Sequence, residues 1–426
     1  PQDKGKWQFS AVLESEQGLT TSTSPAGRLS IADLIDAEAI SSMKVSPDGA
    51  LVAVEMRRPE VPADWAQSWV DIYGISEGKL LRTYEVSGLD WAPDGKSFVH
   101  IKDGHQGKQL WVTKIEGGDK LIVDGLKNLT GAWWMPDAKS LLYAIADEPE
   151  KDETGLKRLR GTTDRWPQWR SPQHLYQVSL NDGLRRQLTA GSLGTSLLDI
   201  HPGGKKILLS RVHYDELPFD TSEFAELNLE DLSLHTILSD QWLYSASYSP
   251  DGTKLLFKGG PSAFAGLGEN LPQGTIPNNY DGQLYLLELN SDQVKPLTKD
   301  FAPGVQVAQW TSDGNVVFKV QEGPFTNIYN YDVESGEFSK VDTQVDAVGG
   351  MSLARTAPVL AWYGSRANAP YQAFVQGEGR ARLLLTPDKE RFAQVQIGQV
   401  EDWDFQTKDG TTITGRVHLP PDFDPN

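Results

Sequence analysis

Short apolar runs, separated by tight polar turns, recur along most of this chain. The first run, Leu51-Val52-Ala53-Val54, follows the turn Ser46-Pro47-Asp48-Gly49. Proline pre-sets the negative φ of the first central turn position, and aspartate hydrogen-bonds to the nearby backbone. Glycine accepts the positive φ that closes a hairpin loop. The pattern therefore predicts a strand, a tight turn and a second strand.

The same turn signature returns along the chain, each time before an apolar strand. The further copies are Trp91-Ala-Pro93-Asp94-Gly95, Trp134-Met-Pro136-Asp137-Ala138, Ile200-His-Pro202-Gly203-Gly204, Tyr248-Ser-Pro250-Asp251-Gly252, Trp310-Thr-Ser312-Asp313-Gly314 and the degenerate Leu353-Ala-Arg-Thr-Ala-Pro358. A second signature alternates with the first and consists of a strand of alternating apolar residues, a polar turn and another strand. Its copies are residues 70–73, 109–112, 174–178, 223–227, 283–286, 327–330 and 371–374, and Leu188-Thr189, Leu297-Thr298 and Leu385-Thr386 close three of these units.

Seven copies of each signature give seven units of four strands, which is the arithmetic of an all-β, seven-bladed β-propeller with four-stranded antiparallel blades. Two packed β-sandwiches are the alternative, but sandwiches have no reason to repeat one turn sequence in register. Before the repeat, Ser30 is placed to cap a short helix, Ile31 to Ile40, and residues 1–28 form an N-terminal extension with an amphipathic patch at Trp7–Leu13.

Long insertions are expected on one face of the propeller. In a four-stranded meander the Pro-Asp-Gly turns lie at one end, and the connections between second and third strands lie at the other. The long connections are Arg57–Ser68, Asp147–Gln173, Arg211–Ser222 and Gly259–Gly282, the last of which is an irregular Gly/Pro-rich flap. Loops gathered on one face of a rigid scaffold are a common place for binding, although solvated decoration stays the alternative.

One insertion carries the candidate substrate-binding residues. An acidic run at residues 148–153 and a basic run at 157–160 precede the four residues Arg165, Trp166, Trp169 and Arg170. Aromatic and guanidinium groups of this kind make anchors at interfaces. They could bind a ligand carboxylate or carbonyl, or pair with the acidic run beside them.

Composition and the absence of known motifs argue against several classes of partner and of catalytic site. The net charge of −18 disfavours nucleic acid and anionic membrane surfaces as partners, and no apolar run is long enough to span a bilayer. The chain has no cysteine, phosphate loop, metal-binding His pair or Gly-x-Ser-x-Gly elbow. We therefore predict no cofactor, no metal and no catalytic residue. The polar start without Met suggests a mature or trimmed N-terminus, with any signal sequence already removed.

The last segment is a hairpin without a partner in the propeller pattern. Glu401–Phe405 is a strand, Thr407-Lys-Asp409-Gly410 is a turn, and Thr411–Pro421 is a second strand ended by two prolines. A two-stranded ribbon is marginal in water. Something is therefore expected to continue from it or pack against it.

Three features in order resemble serine peptidases of the prolyl oligopeptidase family, particularly its acylaminoacyl- and dipeptidyl-peptidase-like members. They are the helix Leu29-Ser-Ile-Ala-Asp-Leu34, the repeated Ser-Pro-Asp-Gly turns, and the terminal hairpin with Leu419-Pro420-Pro421-Asp-Phe-Asp-Pro425. TolB-like periplasmic propellers share the turns, but the terminal hairpin adds specificity. The resemblance covers essentially the whole chain.

The resemblance implies residues 1–28 as extension, 29–390 as propeller and 391–426 as the start of a truncated α/β-hydrolase domain. In that family the Ser-Asp-His triad lies in the hydrolase domain, so no triad residue has a matching position here. The implied partners are a peptide substrate and a C-terminal hydrolase domain, and a homo-oligomer stays open. The sequence has no adjacent glutamates to hold a free amine, which disfavours strict dipeptidyl specificity.

Two other functions stay open at this point. A non-enzymatic, TolB-like propeller would serve as a protein-binding scaffold, with the Trp7–Leu13 patch and the terminal hairpin packed on the propeller itself. A glycosidase-type propeller ranks below it, because the usual Asp-box spaces Asp, Gly and Trp differently from these turns.

Overall fold

The described chain is all-β. The computed structural model describes Gly27 and residues 35–60, 65–149, 154–156, 170–214, 219–272 and 274–424. Short helical turns at Ala263–Gly266 and Lys389–Phe392 interrupt the strands. Within these ranges no helix is long and apolar enough to cross a membrane.

Thirty strands follow one another along the described chain. They are β1 Ala39–Val45, β2 Leu51–Glu60, β3 Trp65–Gly74, β4 Lys79–Tyr84, β5 Ser87–Trp91, β6 Ser97–Gly104, β7 Gly107–Lys114, β8 Asp119–Leu126, β9 Leu129–Trp134, β10 Ser140–Ala146, β11 Gln173–Ser179, β12 Arg185–Gln187, β13 Ser196–Ile200, β14 Lys206–His213, β15 Thr221–Asn228, β16 Leu234–Asp240, β17 Leu243–Tyr248, β18 Lys254–Gly259, β19 Gln283–Glu288, β20 Gln293–Pro296, β21 Gly304–Trp310, β22 Val316–Glu322, β23 Phe325–Tyr331, β24 Phe338–Lys340, β25 Ala347–Leu353, β26 Leu360–Ser365, β27 Gln372–Gln376, β28 Arg382–Leu385, β29 Gln399–Gln406 and β30 Thr412–Leu419.

The strands form antiparallel meanders of four. Strands β1–β4, β5–β8, β9–β12, β13–β16 and β17–β20 each make one four-stranded sheet. Strands β21–β24 and β25–β28 make two further runs, which a single parallel bridge between Thr326 and Ala347 joins into an eight-stranded sheet. Strands β29 and β30 form a separate two-stranded ribbon. The predicted succession of four-stranded antiparallel units is confirmed.

Each predicted turn connects the first strand of a run to the second. In the first turn the Ser46 hydroxyl donates to Asp48 Oδ1 at 2.5 Å, and the same oxygen accepts the Ala50 N–H at 3.0 Å. The Leu51 N–H donates to Ser46 Oγ at 2.9 Å, and Gly49 takes a φ of 73°. Serine, aspartate and glycine thus each satisfy one geometric demand of the loop, which is why the motif recurs.

In two of the Leu-Thr pairs, the leucine and the threonine each stabilise the end of a sheet. Leu188 and Leu297 are buried in the core. The hydroxyls of Thr189 and Thr298 accept the backbone N–H groups of Leu175 and Leu284, both at 2.9 Å. The leucine therefore packs inward while the threonine satisfies a strand donor beyond the last ladder bond.

Every first strand carries a β-bulge where it pairs with the second strand. A bulge turns a backbone group out of the ladder and leaves it unpaired. Side chains of neighbouring sheets use these groups: Lys258 Nζ donates to the Gln306 carbonyl and Lys319 Nζ to the Gly349 carbonyl, each at 2.9 Å. The bulges therefore serve as contact points between consecutive sheets.

The last run packs against the first sheet through the same kind of contact. The Tyr363 hydroxyl on β26 donates to the carbonyl of Ser41, the bulge residue of β1, at 2.8 Å. Val52 and Val54 of β2 share one core cluster with Ala361 and Ala373 of the last run. The two ends of the meander series are therefore neighbours.

A second set of contacts joins the opposite ends of the first strands. The Tyr248 N–H donates to Asp199 Oδ2 of the preceding sheet at 2.8 Å, and the Leu353 N–H donates to Gln309 Oε1 at 3.1 Å. The Val45 N–H donates in the same way to Ser352 Oγ of the last run, at 3.0 Å. The contact between last and first units thus has the form of the contacts inside the series.

Three expectations need correction or fall outside the described residues. The helix does not reach Ile40, because β1 begins at Ala39; residues 31–34 and Trp7–Leu13 lie outside the described ranges. Arg57–Ser68 and Arg211–Ser222 are not simply long loops, because their ladders continue to Glu60–Trp65 and His213–Thr221. The other two insertions are confirmed as long connections, between β10 and β11 and between β18 and β19.

Candidate functional site

One face of the molecule collects the long connections. Because each run is an antiparallel meander, connections between second and third strands lie opposite the Pro-Asp-Gly turns. The insertions that follow β10 and β18 therefore end on the same face. We call this surface the long-loop face.

The predicted substrate-binding residues fall almost entirely outside the described ranges. Arg165, Trp166 and Trp169 are among the residues that the structure does not describe. Arg170 is described and is half-buried just before β11, at the end of the insertion. Ligand binding by these four residues stays a prediction.

Hydrogen bonds hold the two ends of this insertion together. The Asp147 N–H donates to the Pro172 carbonyl at 2.9 Å, and the Thr130 hydroxyl donates to Gln173 Oε1 at 2.5 Å. The imidazole of His174 is buried, and its Nε2 lies 3.5 Å from a carboxylate oxygen of Asp147. This pairing is not predictable from the sequence, since Asp147 and His174 are distant in the chain and meet only because both flank the insertion.

The second insertion, Gly259–Gly282, has little regular secondary structure in its described residues, as expected, and forms a lobe whose base is held by hydrogen bonds. The Tyr244 hydroxyl donates to the Asn279 carbonyl, and the Tyr285 hydroxyl donates to the Gly260 carbonyl, both at 2.7 Å. Burial raises the pKa of Tyr285, so this hydroxyl stays a donor. Tyr280 and Ile276 are more than 90% exposed at the outer edge of the lobe. Ile276 and Tyr280 are therefore exposed to solvent on a lobe whose base is held by hydrogen bonds.

The terminal ribbon also lies on this face. One side of the ribbon, here called its polar side, carries Asp402, Asp404, Thr414 and Arg416 beside Val400. From this side Arg416 and Val400 line a cleft of about 690 Å³ together with residues of the β24–β25 connection. Arg416 Nη1 lies 3.1 Å from Asp346 Oδ2 in that connection. The ribbon therefore contacts the sheets through Arg416 and Val400, while the other residues of its polar side are exposed.

The other side of the ribbon carries mostly apolar side chains, with Gln399 and Glu401 near its start, and faces solvent. Trp403 and Phe405 stack with ring centroids 5.7 Å apart, and Ile413 and Val417 lie on the same side of the paired strands. All four side chains are 40–50% exposed. Contiguous exposed apolar groups of this kind mark an interaction surface.

Comparison with solved structures finds the same fold in peptidases. Acylaminoacyl peptidase from Pyrococcus horikoshii matches with a TM-score of 0.70 and 17% identity, over 93% of this chain and 60% of that one. An acylaminoacyl peptidase in complex with Z-Gly-Gly-Phe-chloromethyl ketone matches with a TM-score of 0.69 and 17% identity, over 90% and 58%. The present chain thus spans about 60% of the length of these relatives.

A third match is confined to a propeller. The β-propeller domain of the Trilobed protease from Pyrococcus furiosus, described as having an open velcro topology, matches with a TM-score of 0.61 and 18% identity, over 84% of this chain and 99% of that domain. No family model and no curated protein sequence matches the chain. The structural likeness shows that this chain has the β-propeller fold found in peptidases of the prolyl oligopeptidase type.

Proposed function

We propose that this chain is the non-catalytic propeller part of a serine peptidase, and that it gates and orients peptides for a hydrolase domain joined to the ribbon. The observation that carries the proposal is the two-sidedness of β29–β30. Its polar side contacts the long-loop face through Arg416 and Val400, while Trp403, Phe405, Ile413 and Val417 are exposed on the other side. A marginal two-stranded ribbon with an open apolar side calls for a covering domain.

The architecture we propose is a closed ring of seven blades, with residues 29–390 as the propeller and 391–426 as the start of the hydrolase domain. Contacts between the last run and the first sheet support closure. Ser352 and Tyr363 bind Val45 and Ser41 as their counterparts do between consecutive sheets. The first sheet takes all its strands from residues 39–84, so the proposed ring closes without strand exchange.

The proposed gate is the long-loop face. A rigid disc limits access to the space between itself and a covering domain, so extended peptides enter more readily than folded proteins. Within this proposal Arg165, Trp166, Trp169 and Arg170 contact the peptide, because their insertion is fastened at that face by Asp147–Pro172.

The proposed chemistry belongs to the following domain. A Ser-Asp-His triad there would cleave the peptide through an acyl-enzyme intermediate. The 426-residue chain itself is expected to be inactive. A periplasmic or secreted location fits such a peptidase and stays a prediction.

A serine-directed fluorophosphonate probe tests the proposal. The 426-residue chain is expected to remain unlabelled, whereas the product of the gene extended past Asn426 is expected to label and to lose labelling on heating. Labelling of the 426-residue chain would overturn the assignment. An open reading frame that stops near Asn426 would also overturn it and would favour a protein-binding scaffold.

A further inference from the structure

Arg416 connects the ribbon to the sheets from a shielded position. Its side chain is 17% exposed and lies on the polar side of β30. Its Nε donates to Asp402 Oδ1 on the paired strand at 2.8 Å, and its Nη1 lies 3.1 Å from Asp346 Oδ2. The guanidinium also lies 4.6 Å from the centre of the Phe325 ring, at the start of β23.

The partner of Arg416 on the sheets is itself held in place. Asp346 Oδ2 accepts the Ala367 N–H at 2.9 Å, and the Asp346 N–H donates to the Ser365 carbonyl at 3.0 Å. Because Asp346 precedes β25 and Ser365 ends β26, this carboxylate is fixed to the last run. In the described part of the chain, no other ion pair joins the ribbon to the sheets.

Arg366 provides a contrast within the same cleft. Its Nε donates to the Gln344 carbonyl at 2.9 Å, and it makes no hydrogen bond or ion pair with the described ribbon. The two arginines share a cleft but differ in whether they bind across it. This difference makes Arg366 a matched control.

We infer that Arg416 is the positioning residue that sets the orientation of the ribbon on the long-loop face. A planar guanidinium fixed by two carboxylates and stacked on a ring restricts rotation as well as distance, which a point charge does not. A two-stranded ribbon is marginally stable by itself, so its orientation depends on such contacts with the sheets. The inference rests on the proposed function for one consequence, namely that Arg416 also sets the position of the domain that follows.

The experiment measures ribbon orientation in the 426-residue chain. The chain lacks cysteine, so Lys408→Cys at the ribbon turn and Glu334→Cys at the exposed β23–β24 turn allow clean spin labelling. Pulsed electron–electron double resonance between the two spin labels is expected to give one narrow distance distribution. Arg416→Gln and Asp346→Asn are each expected to broaden or shift it, while Arg416→Lys partly restores it.

Two controls separate docking from ribbon stability. Asp402→Asn weakens only the contact inside the ribbon and is expected to broaden the distribution less than Asp346→Asn does. Arg366→Gln removes a cation from the cleft without touching the ribbon and is expected to leave the distribution narrow. An unchanged distribution in Arg416→Gln would overturn the inference. A broadening in Asp402→Asn equal to that in Asp346→Asn would also overturn it, because the effect would then arise within the ribbon.

Peptidase assays of the extended product test the consequence separately. Arg416→Gln is expected to raise the KM for an oligopeptide roughly tenfold, the effect of losing one charge-assisted contact, while kcat for a small activated ester stays unchanged. An extended product without any peptidase activity would defeat the proposed function but would leave the spin-label result intact. If Arg416→Gln alters the ribbon distances but leaves KM normal, Arg416 orients the ribbon and does not set the position of the domain that follows.

Discussion

At the scale of single residues, the turns depend on one left-handed position. Gly49, Gly252 and Gly314 have φ values of 73°, 73° and 87°. Ala138 occupies the same position in the third turn with a φ of 55°, and its N–H donates to the Met135 carbonyl at 3.0 Å as in the other turns. The turn geometry therefore persists there at a cost in backbone strain.

Ala138→Gly is expected to stabilise the protein by about 0.5–1 kcal/mol. Relief of about 1–2 kcal/mol of left-handed strain exceeds the 0.4–1 kcal/mol that glycine costs through the unfolded chain. Gly314→Ala is the reciprocal test, since a Cβ there would meet no atom within 4 Å and strain alone would lower stability by a similar amount. Urea unfolding measures both, and a loss of stability in Ala138→Gly would contradict the account.

A buried carboxylate links stability to pH. Glu226 binds Lys206 Nζ and the Tyr248 hydroxyl, each at 2.7 Å. Burial opposes its ionisation, but these hydrogen bonds outweigh it and lower the pKa of Glu226 below 4.5. A depressed pKa means that the stabilisation is present above pH 4.5 and is lost as the pH falls through the folded-state value.

Glu226→Gln is expected to cost about 1–3 kcal/mol at pH 7 and progressively less towards acid pH. Stability measured between pH 3 and 8 by urea unfolding gives the difference between variant and parent. The exposed Glu230→Gln is the control and is expected to show no such trend. A difference that is constant with pH would contradict the assignment of the charge to this pair.

At the scale of elements, side-chain bonds to backbone groups are prominent among the contacts between the last run and the first sheet. Ser352 and Tyr363 supply two of them, and the Thr356 hydroxyl adds a bond to the Pro47 carbonyl at 2.9 Å. No covalent connection joins the last run to the first sheet except the whole intervening chain. The free energy of unfolding is therefore expected to depend more on these bonds than on their equivalents between consecutive sheets.

The double variant Ser352→Ala, Tyr363→Phe is expected to lower the free energy of unfolding by about 1–3 kcal/mol, for two hydrogen bonds at about 0.5–1.5 kcal/mol each. Hydrogen exchange of β1 and β26 should rise selectively. Lys319→Met, which removes a matching bond between consecutive runs, serves as the comparison. Equal effects at both junctions would argue against a closing seam.

The elements differ in how far sequence predicts them. The Pro-Asp-Gly turns are predictable because each residue meets a local backbone demand, and the Leu-Thr pairs recur for a similar reason. The bulges and the bonds to Ser41 and Val45 are not predictable, because their partners lie in another sheet. Glu60 and Trp65 were expected in a loop, since the polar sequence around Pro59 hides a ladder that continues past it.

At the scale of the whole molecule, the sequence repeats are enough to predict a β-propeller. The candidate site, in contrast, depends on contacts between residues that are distant in the sequence. His174 and Asp147 meet across an insertion, and Arg416 meets Asp346 across a cleft. The sequence predicts that the terminal hairpin needs a partner. Which of its two sides contacts the sheets is not predictable, because the contact is made by Arg416 with Asp346 of a distant connection, which leaves Trp403 on the exposed side.

The central claim is that this disc filters substrates for a peptidase. The most direct measurement compares hydrolysis by the extended gene product of an unstructured peptide, a folded protein containing the same segment, and that protein after unfolding. The account predicts that the short peptide is cleaved, that the folded protein remains intact, and that cleavage requires the serine nucleophile of the following domain. Cleavage of the folded protein as fast as the peptide, or no cleavage of the peptide, would contradict it.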